Sequence, residues 1–143
     1  MSMFCYQCEQ TAKGTGCTVR GVCGKDPETA TLHDLLIHLA EGISQYAHRA
    51  WQLGATDREV NLFPLEALFT TVTNVNFDPE RLRGLIARAA KVRAKAKGLY
   101  EAACAKAGKK PETLGGPAAL VPAATADGLL AQAEALAITT RKE

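Results

Sequence analysis

The sequence predicts an all-α protein, an antiparallel three- to four-helix bundle with an N-terminal cysteine-rich loop. After residue 30, apolar residues recur at intervals of three and four, as on the buried face of an amphipathic helix. No stretch of useful length alternates between apolar and polar residues, as a half-buried strand would. Four of the cysteines fall within residues 5–23, which sets the N-terminal segment apart from the helical body.

The first predicted helix runs from about Thr31 to Leu53. Thr31 and Asp34 resemble a capping box with Asp in the place of Glu, and Gly54 suits the position just after the helix. Residues 25–28 are interpreted as a turn-prone connector before it. Its apolar positions form one continuous stripe: Leu32, Leu35, Leu36, Leu39, Ile43, Tyr46, Ala47 and Ala50.

A second, shorter helix is predicted from about Phe63 to Val75. Pro64 suits its first turn, where a missing N–H costs nothing. Asn74 and Asn76 have low helix propensity and are expected to end it. The expected buried face consists of five large apolar residues: Leu62, Leu65, Leu68, Phe69 and Val72.

A long third helix is predicted from Pro79 to Ala107, because Asp78 can cap it and proline fits its first position. The basic residues on one side of this helix are interpreted as a solvated face, with an electron-donor docking patch or a nucleic-acid surface as the less favoured alternative. Residues 108–126 contain three prolines and are predicted to form a connector. A last helix is predicted from about Ala126 to Ile138.

Length and composition narrow the class of protein. The chain has 143 residues, and we expect residues 1–30 to form the cysteine-rich loop and residues 31–143 the helical bundle, together one domain. The net charge of +2 does not indicate a binder of polyanions. Because there is no apolar run long enough to span a membrane and no secretory signal, we expect a cytoplasmic protein with reduced thiols.

The candidate site residues are Cys5, Cys8, Cys17 and Cys23, with the spacing C-x2-C-x8-C-x5-C. Four thiols so close together are most simply explained by a shared metal centre. A zinc site tends to repeat its two-residue spacing in the second half, or to complete it with a histidine pair. The wider second half therefore favours an iron–sulfur cluster over zinc, with disulfides as the third alternative, and the spacing does not match the common ferredoxin patterns.

Glycines and basic residues surround these cysteines. The glycines permit backbone conformations that bring N–H groups close to sulfur, and the basic residues can offset the negative charge of a cluster, although surface solubility explains them equally well. The residues concerned are Gly14, Gly16, Gly21, Gly24, Lys13, Arg20 and Lys25. Outside this loop, Cys104 is predicted to be a small buried hydrophobe, and His33 and His48 are predicted to lie on the surface.

The N-terminal sequence resembles that of the hybrid cluster protein family, also called prismane proteins, whose members are described as hydroxylamine reductases. Three motifs carry the resemblance: residues 3–12 (MFCYQCEQTA), residues 16–18 (GCT) and residues 21–24 (GVCG), followed by a similar leucine-rich segment over residues 32–46. The resemblance implies that the four cysteines named above bind one [4Fe-4S] cluster that acts as an electron relay. It also implies that the family's helical domain continues into a second three-helix bundle.

The family's hybrid iron–sulfur–oxygen cluster, ligated by His, Glu and Cys residues of later domains, is not expected in this chain. The resemblance therefore implies a fragment or a stand-alone electron-transfer module, inactive toward hydroxylamine by itself. Its expected partner is an electron-donor reductase or the remaining domains of the parent enzyme, with no membrane and no nucleic acid. The alternatives are a zinc-stapled helical interaction module without a redox role, and a fragment that has lost its cluster in air.

Overall fold

The computed structural model of the chain describes residues 2–72 and 77–139. The helices are α1, Pro27–Gln52; α2, Arg58–Val72; α3, Pro79–Lys106; and α4, Ala126–Leu136. Helix α1 contacts the other three helices, so it lies at the centre of the bundle. No β-strand occurs in the described residues, which confirms the predicted all-α bundle. No helix in this part of the chain has the length and apolar character needed to cross a membrane.

Helix α1 begins at Pro27, four residues before the predicted start at Thr31. The Asp26 side chain caps it by accepting a 2.7 Å hydrogen bond from the N–H of Thr29. The same Asp-Pro-Glu order starts α3 at Asp78, so the segment interpreted as a connector is a helix start. The predicted stripe of α1 is confirmed, since all of its members are buried except the partly buried Ala47.

Helix α2 begins at Arg58, five residues before the predicted start at Phe63. The N–H of Val60 donates a 3.0 Å hydrogen bond to the Asp57 carboxylate, which caps this end of the helix. Pro64 consequently lies in the helix interior rather than in the first turn, and its ring removes one backbone hydrogen bond there. The predicted end at Val75 lies outside the described residues.

The predicted buried face of α2 is wrong. Leu62, Leu65, Leu68, Phe69 and Val72 are 47–65% exposed. The buried face consists of Val60, Phe63, Ala67, Thr70 and Thr71. Both sets recur at helical intervals, so either could form the inner stripe. The buried threonines can lie inside because their hydroxyls donate to carbonyls of the same helix, Thr70 to Glu66 at 2.7 Å and Thr71 to Leu68 at 2.8 Å.

Helices α3 and α4 end at Lys106 and Leu136, close to the predicted ends at Ala107 and Ile138. The basic side of α3 is largely engaged in ion pairs and hydrogen bonds, which involve Arg83, Arg88, Lys95, Lys97 and Arg93. The predicted connector between the two helices contains a short 3-10 turn, Gly116–Ala118. This turn lies directly against α1, where a Cβ atom on Gly42 would come within 2.3 Å of the Pro117 carbonyl oxygen.

Candidate metal centre

The cysteine loop is built on one pair of backbone hydrogen bonds. The N–H of Cys5 donates to the carbonyl of Cys17 at 3.0 Å, and the N–H of Cys17 donates to the carbonyl of Cys5 at 2.9 Å. This isolated antiparallel bridge places the first and third cysteines directly opposite each other. The Thr11 hydroxyl donates to the carbonyl of Cys5 at 3.1 Å and ties the intervening segment to the bridge.

The segment between these cysteines turns through a 3-10 helix, Ala12–Gly14. Gly16 requires the absence of a side chain, because its φ is +124° and a Cβ atom there would lie 2.4 Å from Cε2 of Phe4. The turn brings the N–H of Ala12 to 3.3 Å from Sγ of Cys17. Gly16 thus adopts a backbone conformation that favours glycine, as predicted for the loop glycines, and it also makes room for the Phe4 ring.

Cys17 lies in an environment that favours the thiolate. The N–H groups of Ala12 and Val22 lower the pKa of its thiol, burial opposes them, and the Thr11 hydroxyl and the Lys25 charge add smaller lowering effects. Thiolates are the form of cysteine that binds metals. The backbone around Cys17 thus prepares this sulfur for metal binding or for reaction.

The four candidate ligands differ in exposure. Cys17 is buried, Cys5 is partly buried, and Cys8 and Cys23 are exposed. Of the four, the structure pairs Cys5 with Cys17 and leaves the side chains of the other two toward solvent. Among the described residues, no three His, Cys, Asp or Glu side chains lie close enough together to hold a metal ion. All five cysteines are free of disulfides, and Cys104 is buried in the bundle core as predicted.

A second, small apolar cluster anchors the loop to the start of α1. Its buried members are Met3, Cys17 and Ala30, with Cys5 and Ala12 packed against them. A cavity of about 50 Å³ adjoins Cys5. His33, predicted to lie on the surface, is 1% exposed and lines this cavity, and its ring centroid is 5.5 Å from that of Phe77. The surface prediction for His48 is confirmed.

The three basic residues of the loop also differ in exposure. Lys13 and Arg20 are exposed, whereas Lys25 is 2% exposed. The Lys25 ammonium donates to the Thr71 carbonyl at 2.7 Å and to Oε1 of Gln7 at 3.0 Å. Sequence reasoning found neither Gln7 nor Thr71, because residues so far apart in the chain carry no local signal of contact.

The donor set fits an iron–sulfur cluster in its chemistry. Four cysteines without disulfides lie in one loop, and N–H donors lie against two of the sulfurs, at Cys5 and Cys17. Such donors are typical of iron–sulfur sites and tune their potentials. The exposed Cys8 and Cys23 take no part in the Cys5–Cys17 backbone bridge.

Comparison with known proteins gives consistent results. The model of the Prismane/CO dehydrogenase family matches residues 3–142. Over 97% of its length the chain is 52% identical to a hydroxylamine reductase of Rhodospirillum rubrum, and over 92% it is 49% identical to one of Geobacter sulfurreducens. A hydroxylamine reductase of Kosmotoga olearia is 61% identical over 62% of the chain and 16% of its own length. The chain spans 25% and 24% of the first two relatives, about a quarter of their length.

Proposed function

Because the chain belongs to the Prismane/CO dehydrogenase family, we propose that Cys5, Cys8, Cys17 and Cys23 bind one [4Fe-4S] cluster and that the chain serves as an electron-relay module. A bound cluster supplies reversible one-electron oxidation and reduction. The observation that carries the proposal is the Cys5–Cys17 bridge with the Ala12 N–H directed at the Cys17 sulfur. This arrangement fixes two of the four thiolates and supplies the N–H···S contacts that such clusters use.

The residues around the cysteines set the spacing of the ligands and exclude water from one side of the cluster. The bridge sets the separation of the first and third ligands, and the short segments before Cys8 and Cys23 let the exposed ligands close from the solvent side. Met3 and Ala30 exclude water from the buried side. The protein thus provides one dry face and one open face, and the open face is where we expect an electron partner to approach.

We further propose that the partner is an electron-donor reductase or the remaining domains of a longer hydroxylamine reductase, in the cytoplasm. The relatives are named for hydroxylamine reduction, and the chain covers about a quarter of their length. We expect the reaction to depend on residues outside this quarter and on the family's hybrid cluster. The chain alone should therefore reduce no hydroxylamine, and clear turnover by it would contradict the relay role.

The decisive experiment is the metal content of the chain after anaerobic reconstitution. We expect about four iron atoms and about four acid-labile sulfides per chain, with broad absorbance at about 400 nm. Replacing any one of the four loop cysteines by serine should lower the iron content. Cys104→Ser is the matched control and should retain it, because Cys104 lies in the bundle core. One zinc ion per chain with no sulfide would contradict the proposal and favour a zinc-stapled interaction module.

A further inference from the structure

Lys25 is a buried lysine that has no role in the proposal that the four cysteines bind a cluster. It is 2% exposed and lies two residues after Cys23, next to Asp26, the residue that caps α1. Besides its bonds to Thr71 and Gln7, its ammonium nitrogen lies 3.8 Å from Sγ of Cys5. None of the ion pairs formed among the described residues includes Lys25.

A buried ammonium group is costly unless hydrogen bonds and negative charge surround it. The Thr71 carbonyl belongs to the last turn of α2 and carries part of the negative end of the helix dipole. The Gln7 oxygen is neutral. Of the groups that accept a hydrogen bond from Lys25, the Cys5 sulfur is the one that gains a full negative charge when it binds metal.

The contacts of Lys25 also fix where its charge lies. Gln7 accepts from Lys25 through Oε1 and donates through Nε2 to the Thr71 hydroxyl at 3.0 Å. The ammonium is therefore held between the end of α2 and the first cysteine, and its nitrogen lies 5.2 Å from the centroid of the Phe77 ring. A cation held in this way is screened by salt far less than an exposed one.

We propose that Lys25 is a positioning residue for the cluster: its ammonium donates to the Cys5 sulfur and raises the reduction potential of the centre. The inference rests on the proposed function and deepens it. Reduction adds one electron, and hence one negative charge, to a centre that is already negative. A fixed positive charge beside a ligand sulfur stabilises that added charge, so the centre accepts the electron more readily.

A purely structural role of Lys25 would give a different result in its variants. In that case Lys25 would tie the loop to α2 through Thr71 and Gln7, and its replacement would loosen the loop without changing the potential of a cluster that remains bound. The two roles can be separated by changing charge and hydrogen bonding independently. Lys25→Gln removes the charge and keeps a donor, whereas Lys25→Arg keeps the charge.

The test is a redox titration of the reconstituted full chain, followed by its visible spectrum. We expect Lys25→Gln to shift the potential to more negative values and Lys25→Arg to leave it close to that of the unmodified chain. Lys13→Gln is the matched control, because it removes the same charge from an exposed position of the same loop. Its shift should be clearly smaller. An unchanged potential in Lys25→Gln, or an equal shift in Lys13→Gln, would overturn the inference.

If a variant does not hold the cluster, its potential cannot be measured and its iron content is measured instead. Lys25→Met is then added as a second neutral variant, because it preserves the apolar stem of lysine. Loss of iron in both neutral variants with retention in Lys25→Arg supports the role of the charge. Loss in all three shows that the shape of lysine matters rather than its charge, and overturns the inference. Absence of iron from the unmodified chain would instead contradict the proposed function itself.

Discussion

Helices α1 and α2 carry similar apolar stripes in sequence, yet the stripe of α1 is buried and that of α2 is exposed. The stripe of α1 faces the bundle centre, and Leu39 within it is fully buried. The stripe of α2 faces solvent, and Leu65 within it is 65% exposed. Helix α2 instead buries a less apolar edge that includes Thr70 and Thr71.

The buried side of α2 is the side that contacts the cysteine loop. Thr71 accepts hydrogen bonds from both Lys25 and Gln7, at its carbonyl and at its hydroxyl. The side of α2 that carries these groups must face the loop, and the large apolar side chains then point away. The helix is placed by polar contacts with the loop at one end and by Val60 and Phe63, both fully buried, at the other.

The largest expected effect compares one leucine from each stripe. Leu39→Ala should lower the free energy of unfolding by about 2–5 kcal/mol, because it opens a cavity at the bundle centre. Leu65→Ala should change it by less than about 0.5 kcal/mol, because that side chain is mostly solvated. Urea unfolding followed by circular dichroism measures both. Equal losses would mean that the stripe of α2 is buried in solution.

A second comparison concerns one glycine in α1, which the 3-10 turn covers, and one in α3, which no described residue covers. Gly42→Ala should destabilise the bundle by about 1–3 kcal/mol, because its Cβ would collide with the backbone at Pro117. Gly98→Ala, in the interior of α3, meets open space and should stabilise the chain by about 1 kcal/mol through helix propensity. Thermal unfolding of the two variants gives the signs. A stabilising Gly42→Ala would show that the turn does not lie against α1.

The smallest expected effect concerns the start of α2. The hydrogen bond from the Val60 N–H, aided by Lys95 at 3.3 Å, lowers the pKa of Asp57 below its usual value of 3.8. A carboxyl whose pKa is lower in the folded state stabilises that state above its unfolded pKa, and the contribution is lost as the pH falls through the folded value.

Asp57→Asn keeps an acceptor for the cap and removes only the charge. The urea midpoint of this variant should therefore lie below that of the unmodified chain at about pH 7, and the gap should narrow by about pH 3. A gap that stays constant over this range would show that the ionised carboxylate contributes nothing to stability.

The sequence predicted the helical body well because most of its signals are local. Asp78 and Pro79 fix the start of α3, and the stripe of α1 is continuous and strongly apolar. The prediction is wrong at Asp26, which starts α1 with the same Asp-Pro-Glu capping signal that starts α3 and does not lie in a connector. The prediction also failed on α2, because two stripes share the helical period and the buried one contacts residues that are distant in sequence.

For the candidate site, the sequence located the cysteines but not their surroundings. Spacing and family resemblance identify which residues to examine, and that Cys5, Cys8, Cys17 and Cys23 are ligands remains a prediction. The pairing of Cys5 with Cys17 across a bridge, and the burial of Lys25 and His33, depend on contacts between distant segments. No window of neighbouring residues contains that information.

The bond from Lys25 to Thr71 joins residues 46 positions apart, and this separation orders events during synthesis. All four loop cysteines leave the ribosome before the end of α2 exists. At about 5–20 residues per second, the loop waits roughly 2–9 s for its docking partner. The Lys25–Thr71 contact therefore forms only after the whole loop has been made, and we expect the loop and the end of α2 to dock together once α2 is complete.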